Sequence, residues 1–157
     1  MTTGLPPISK FNVRVYGLMF NDENQILVSD EVIRGQHFTK FPGGGLEFHE
    51  SPIDCLVREC MEEMNQPIEV QDHFYTTEQM VRSAFRPNEQ VISIYHIIKP
   101  IGDINFKTSG LKFDFDPTIV GDQESFRWTS LAELNPDDFS FLIDAHVVEL
   151  IKKKYLS

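Results

Sequence analysis

Residues 40–64 read KFPGGGLEFHESPIDCLVRECMEEM: three consecutive glycines lead into a stretch with helical signals that carries Glu59, Glu62 and Glu63. Ser51 is a good N-cap, Pro52 suits the first helical position, and Asp54 completes a capping-box-like pattern, so a helix is predicted to start at 51 or 52. Its end is predicted near Asn65, because asparagine tolerates the left-handed conformation that closes helices and Pro67 cannot continue one. At about 100° per residue, Ile53, Leu56, Val57, Cys60, Met61 and Met64 fall on one side, while the three glutamates project from another. On this reading one face packs and the other gathers carboxylates.

Two readings of the acidic face stand side by side. A solvated face usually interleaves Lys or Arg at i,i+4, whereas Arg58 is the one base here, four before Glu62 in the less favourable order. Glu59 and Glu63 form a like-charged i,i+4 pair, costing about 0.2–0.5 kcal/mol if nothing neutralises it. A hard divalent cation would do so. Mg2+ takes oxygen ligands, usually a few carboxylates together with waters and substrate phosphates. The upstream glycines suit a loop where backbone closely approaches metal or phosphate.

The 157 residues fit one domain, expected to span 1–157, and 41% hydrophobic content is that of an ordinary globular protein. No apolar run reaches the roughly 18–20 residues of a membrane span, and MTTGLPPISK lacks the apolar core of a signal peptide, so a cytoplasmic protein is expected. Cys55 and Cys60 lie five apart, a separation that disfavours a bridge and suits reduced packing residues. With 24 acidic against 14 basic side chains the net charge is -10, so the electrostatic footprint of a nucleic-acid polymer binder is missing. An anionic ligand would need that charge offset.

Residues 11–20 and 25–33 are β-branched or aromatic runs separated by Asn21-Asp22-Glu23-Asn24, which reads as a hairpin. Residues 68–76 read as a strand, and 90–98 (QVISIYHII) as a central strand buried on both faces. Between 101 and 123, LKFDFDP alternates like an edge strand while its Gly, Asp and Pro neighbours suit a long loop. Phe139, Ile143, Val147, Leu150 and Ile151 recur at helical spacing, preceded by Asp137 and Asp138 and followed by Lys152 to Lys154. A sheet with at least two helices follows.

The segment from Gly44 to Gln66 resembles the Nudix box, Gly-x5-Glu-x7-Arg-Glu-U-x-Glu-Glu-x-Gly-U with U apolar: Gly44, Glu50, Arg58, Glu59, Cys60, Glu62 and Glu63 fall on the pattern. Asn65 stands where the family has glycine and can adopt the same conformation; Gln66 replaces an apolar residue and puts a packing contact in question. The resemblance implies an α+β fold, a Nudix-type α/β/α sandwich with a central mixed sheet. It also implies hydrolysis of a nucleoside diphosphate linked to another moiety. In such an enzyme Glu59, Glu62 and Glu63 would ligate Mg2+ or Mn2+, assisted by the Gly43 or Gly44 backbone, with Arg58 and Glu50 orienting the carboxylates. The metal would polarise a phosphoryl oxygen and acidify the attacking water, which offsets the net charge. The general base would be a box glutamate or a carboxylate from a later loop.

The segment from Trp128 to Phe139 is similar to the closing segment of MutT-type 8-oxo-dGTP pyrophosphatases. Those enzymes carry a further metal-linked acid shortly before that tryptophan, where this chain offers Asp122 and Glu124. The position at which they read the oxidised guanine with asparagine holds Ile143, which argues against that substrate. Arg14, Arg34, Lys40, Arg82 and Arg86 are the candidate phosphate clamps. Tyr16, Tyr95, Phe85 and Trp128 could stack on a base or fill the core, and His49 and His96 could touch substrate or simply pack. The box is shared by enzymes acting on ADP-ribose, nucleotide sugars, (d)NTPs and dinucleoside polyphosphates. A Nudix-like ligand-sensing or partner-binding module without turnover is the alternative, and many members of the family form homodimers.

Overall fold

The computed structural model describes residues 4–156. Its strands are β1 (Lys10–Met19), β2 (Gln25–Ile33), β3 (Gln36–Lys40), β4 (Gly43–Gly45), β5 (Ile68–Thr76), β6 (Glu89–Pro100) and β7 (Gln123–Ser130), with helices α1 (Pro52–Met64) and α2 (Leu142–Leu156). A mixed sheet has the order β4-β1-β6-β5, and a second, antiparallel sheet runs β3-β2-β7. The parallel pair is β1–β6, with Tyr16 opposite Tyr95.

Alternation along β1 sorts its side chains to two cores, as the two-residue period of a strand requires. Tyr16 and Leu18 join Tyr95, Ile143, Val147, Val148 and Ile151 beneath α2. Val15 and Met19 join Cys55, Leu56, Cys60, Met64 and Ile98 beneath α1. The helices therefore cover opposite faces of the strands, the expected α/β/α arrangement.

The expected hairpin between 11–20 and 25–33 is corrected. Those strands belong to different sheets and share one bridge, Phe20 with Ile26. The hairpin is β2–β3: Ile33 pairs with Gln36, and both intervening residues are left-handed, Arg34 at φ 50° and Gly35 at φ 77°. Two positive φ values are what a type I′ turn needs to match strand twist. Residues 101–122 contain no strand and form the long loop, one of the two readings of that stretch. Lys152 to Lys154 lie inside α2, in its last turns, where they complement the helix dipole.

Helix α1 follows its local signals. Ser51 and Asp54 form a reciprocal capping box, and Asn65 closes the helix at φ 52°, ψ 37°. Its orientation differs from expectation. Ile53, Val57 and Met61 are 49%, 37% and 42% exposed, whereas Cys55, Leu56, Cys60 and Met64 are buried. Around the helix, Glu59 and Glu63 fall between Cys55 and Cys60, on the side turned to the sheet. The acidic and packing faces overlap because β4, an all-glycine strand, leaves room for carboxylates against the backbone. Both cysteines are free and buried.

Candidate active site

Gly44 lies directly beneath Glu59. A Cβ built on Gly44 would stand 2.5 and 2.7 Å from the two carboxylate oxygens, so glycine at this position makes the space that Glu59 occupies. Neighbouring Gly43 is constrained by backbone instead: at φ 148°, any Cβ would meet the Tyr16 Cα at 2.7 Å. Consecutive glycines thus serve separate purposes.

Arg58 holds the carboxylates in register. Its Nε and Nη2 donate to the two oxygens of Glu50 at 3.0 and 2.8 Å, and Nη2 also donates to the Gly45 carbonyl at 3.1 Å. Its Nη1 donates to Glu59 at 3.0 Å and to Glu62 at 3.2 Å. The fork geometry of a guanidinium suits this bidentate capture of Glu50. Hydrogen bonding from Arg58 holds the Glu50 carboxyl down at about 2.

Glu63 has no such partner. Its Oε2 is buried without a hydrogen bond, and burial, then the charges of Glu124 and Glu59, push its pKa well above the carboxylate range. Glu124, on β7, also has its pKa raised, first by burial and then by its side-chain interaction with Glu31. Its Oε2 accepts from the Ser29 hydroxyl at 2.6 Å. Such buried, underneutralised acids fit a divalent cation, the species that would satisfy hard oxygen donors at this spot. Among the described residues, no three carboxylate, histidine or cysteine side chains are already drawn together as a metal site.

Behind the carboxylates opens a cleft of about 250 Å3, lined among others by Arg14, Tyr16, Glu31, Lys40, Phe85 and Asp144. Lys40 is 7% exposed and pairs with Glu31 at 2.9 Å. Burial opposes its charge, but Glu31, Tyr16, Glu63 and Glu124 outweigh that effect and raise its pKa. Arg14 donates to the Tyr16 hydroxyl at 2.9 Å and is drawn electrostatically toward Glu59 and Glu31. Two cations thus stand between the acid cluster and the cleft.

The remaining candidate residues separate. Arg82 lines the cleft; Arg86 is largely exposed and pairs with Glu89 at 3.4 Å. Arg34 is exposed at the β2–β3 turn, where its backbone N–H donates to Asp122 at 3.0 Å. Asp122 therefore fixes that turn, while Glu124 borders a groove of about 530 Å3 together with Glu62 and Glu63. Tyr16 and Tyr95 both fill the core and line the cleft, and Trp128 packs against the α1-side core. His49 is exposed, and His96 lies against His73 at 5.6 Å between ring centres.

Sequence reasoning missed Glu31, Ser29 and Asp144. Glu31 and Ser29 had one available signal, the polar run Ser29-Asp30-Glu31 inside a strand whose flanks are apolar; Asp144 had an acid one residue after the apolar Ile143 at the start of α2. Gln66 was also undervalued. Fully buried, it accepts from the Asn105 N–H at 2.7 Å and donates to Pro67 and Ile101 carbonyls, tying the long loop to the end of α1.

The NUDIX domain family model matches residues 10–150, nearly the whole chain. The chain belongs to the NUDIX domain family. It is a Nudix pyrophosphohydrolase, and the Nudix box is the loop–helix unit of β4 and α1 described above. Solved structures share the fold. A NUDIX hydrolase from Nitrosomonas europaea superposes with a TM-score of 0.64 at 19% identity, covering 92% of this chain and 87% of that one. A MutT protein from Methanosarcina mazei Go1 gives 0.67 at 15% identity over 95% and 98% of the two chains. An ADP-ribose pyrophosphatase from Streptococcus suis 89-1591 gives 0.55 at 18% identity over 93% and 92%. No curated protein matches the chain in sequence. Among the described residues no helix is long and apolar enough to cross a membrane.

Proposed function

We propose that this Nudix enzyme hydrolyses a pyrophosphate bond in a nucleoside diphosphate linked to another moiety, using Mg2+ or Mn2+ held by Glu59, Glu62, Glu63 and Glu124. The observation that carries the reading is the buried, unpartnered Oε2 of Glu63 beside a cleft walled by Arg14 and Lys40. The acids suit a cation and the two bases suit phosphate. The neighbour named as an ADP-ribose pyrophosphatase adds support for anhydride chemistry.

When bound, the metal would polarise the phosphoryl group and lower the pKa of water. The chain's own residues do the rest. Arg58 holds Glu59 and Glu62 in place through Nη1, and Glu50 anchors Arg58 in turn. The backbone at Gly43 and Gly44 lets that assembly sit against the sheet. Lys40 and Arg14 bind the phosphates and offset the acid cluster, so an anion can approach a strongly negative protein. A carboxylate of the same cluster takes the proton of the attacking water. The cleft receives the nucleoside, and residues 10–150 act as one domain in doing so.

The test is a screen of purified protein against ADP-ribose, nucleotide sugars, (d)NTPs and dinucleoside polyphosphates with Mg2+ or Mn2+, reading released phosphate, pyrophosphate and nucleoside monophosphate. Metal-dependent release from at least one class is expected. A protein that binds these nucleotides without turning any over is a sensing module instead.

A further inference from the structure

The cleft accounts for only part of the space around the glutamates. Glu62, Glu63 and Glu124 also border the groove of about 530 Å3, whose facing wall is the start of the long loop between β6 and β7. The two hollows share no lining residue, yet they abut, because Glu31 of the cleft and Glu124 of the groove interact through their side chains. A pyrophosphate bond held at these acids has one half toward each hollow. With the nucleoside in the cleft, the groove is left for the other half.

The groove holds a cation without a partner. Among the described residues Lys107 is the one base lining it, and its ammonium forms no ion pair although Asp114, Glu62, Glu63 and Glu124 line the same walls. Its loop neighbours differ: Lys112 pairs with Asp138 at 3.2 Å, and Asp114 accepts from the Ser109 hydroxyl at 2.6 Å. A divalent cation on the glutamates would leave the Lys107 ammonium as the groove's contact for an anion.

The wall that carries Lys107 is fixed on both sides of it. Gln66, which stands where the Nudix box has an apolar residue, is fully buried with its amide satisfied. Its Oε1 accepts from the Asn105 N–H at 2.7 Å, and its Nε2 donates to the Pro67 and Ile101 carbonyls at 3.0 and 3.5 Å. Asn105 in turn donates through Nδ2 to the Asn65 carbonyl at 3.2 Å. Phe106 packs on Phe126 and Trp128, at 6.0 and 6.4 Å between ring centres, and the Ser109 N–H donates to the Phe126 carbonyl at 2.8 Å. Asn105, Phe106 and Ser109 are thus tied down, while Lys107 and Thr108 between them are exposed. A buried amide is costly unless its bonds are made, and two of the three made by Gln66 join this loop to the end of α1. We propose that the groove is the subsite for the phosphate of the departing half of the substrate, that Lys107 contacts that phosphate, and that Gln66 is the positioning residue that holds Lys107 beside the glutamates. This rests on the nucleotide-hydrolase reading above and deepens it by giving the second half of the substrate a place.

Imidodiphosphate, a pyrophosphate with an N–H bridge, serves as the probe, titrated calorimetrically with and without Mg2+ so that no turnover is needed. Wild type should bind it. Lys107→Gln should bind it about tenfold more weakly, and Lys107→Arg should stay within about threefold of wild type. Folded Gln66→Leu should bind about threefold more weakly and have no further effect when added to Lys107→Gln, since the anchor acts through the lysine. If Gln66→Leu does not fold, Asn105→Ala, which removes the exposed bond to Asn65, takes its place in the same comparison. No binding by wild type, or equal affinity of wild type and Lys107→Gln, overturns the subsite; losses that multiply in the double variant overturn the role of Gln66. Lys107-dependent binding without hydrolysis of any nucleotide supports the subsite and removes the hydrolase. Hydrolysis with probe binding indifferent to Lys107 leaves the hydrolase and removes the subsite.

Discussion

The carboxylate of Glu59 occupies the space where Gly44 would carry a Cβ. The neighbouring glycine is limited by backbone rather than by a side chain, and this difference separates the two positions experimentally. Gly44→Ala can be accommodated by swinging the end of a flexible side chain, so its cost falls on Glu59. Turnover should drop at least tenfold while the melting temperature changes by no more than a few degrees. Gly43→Ala meets Tyr16 backbone at a φ that L-residues rarely adopt, costing roughly 1–3 kcal/mol, and should lower the melting temperature clearly. Thermal melts and steady-state kinetics on both variants check this; equal stability loss in the two would contradict it.

Glu62→Gln and Glu63→Gln should each cut kcat by about two orders of magnitude or more with the fold intact, since each removes charge and keeps volume. Glu63→Gln should also melt higher than wild type in EDTA. Its Oε2 is buried without a hydrogen bond and its carboxyl faces the charges of Glu124 and Glu59, and the amide removes the cost of placing an ionisable acid there. Activity within a few-fold of wild type would remove either residue from the ligand set.

Asp122 and Glu124 were indistinguishable as candidate acids in the sequence, and their partners differ. Alanine at Glu124 removes the acceptor of the Ser29 hydroxyl next to Glu63 and should lower kcat and weaken Mg2+ dependence. Alanine at Asp122 removes a bond to the Arg34 backbone and should leave kcat within about twofold. Kinetics at saturating substrate, with Mg2+ varied, read the difference.

The contrast shows where sequence reasoning reached its limit. Helix α1 was legible from Ser51 to Asn65 because capping is local chemistry, settled within a few residues. Strand pairing is not local. The four polar residues after Phe20 suit a turn, yet they join two sheets, and the true hairpin turns on Arg34-Gly35, whose signal is a single glycine. The helix face was misjudged for a related reason: the glutamates were placed on a side apart from the packing face, whereas an all-glycine β4 lets Glu59 and Glu63 sit on the side turned to the sheet. Arg14 and Arg34 look alike in sequence, but one lies on a strand lining the cleft and the other at a turn. Glu124, Glu31 and Lys40 meet only through the pairing of β2 with both β3 and β7.

The Glu50–Arg58 pair predicts a pH signature in stability. Hydrogen bonding lowers the Glu50 pKa from 4.5 to about 2 in the folded state. A depressed carboxyl stabilises the fold above its unfolded pKa and loses that contribution as pH falls through the folded value. Glu50→Gln should therefore be less stable than wild type at pH 7, with the difference shrinking between about pH 4.5 and 2. Urea unfolding at a series of pH values measures it, and a pH-independent difference would mean that Glu50 acts through packing.

Calorimetric titration of Mg2+ into wild type and Glu63→Gln bears most directly on the metal site. The arrangement around Glu63 predicts saturable binding to the wild type, weakened at least tenfold in the variant, with a matching loss of Mg2+-induced thermal stabilisation. Absence of Mg2+ and Mn2+ binding to the wild type, or equal binding by both proteins, would contradict a metal site built on these glutamates.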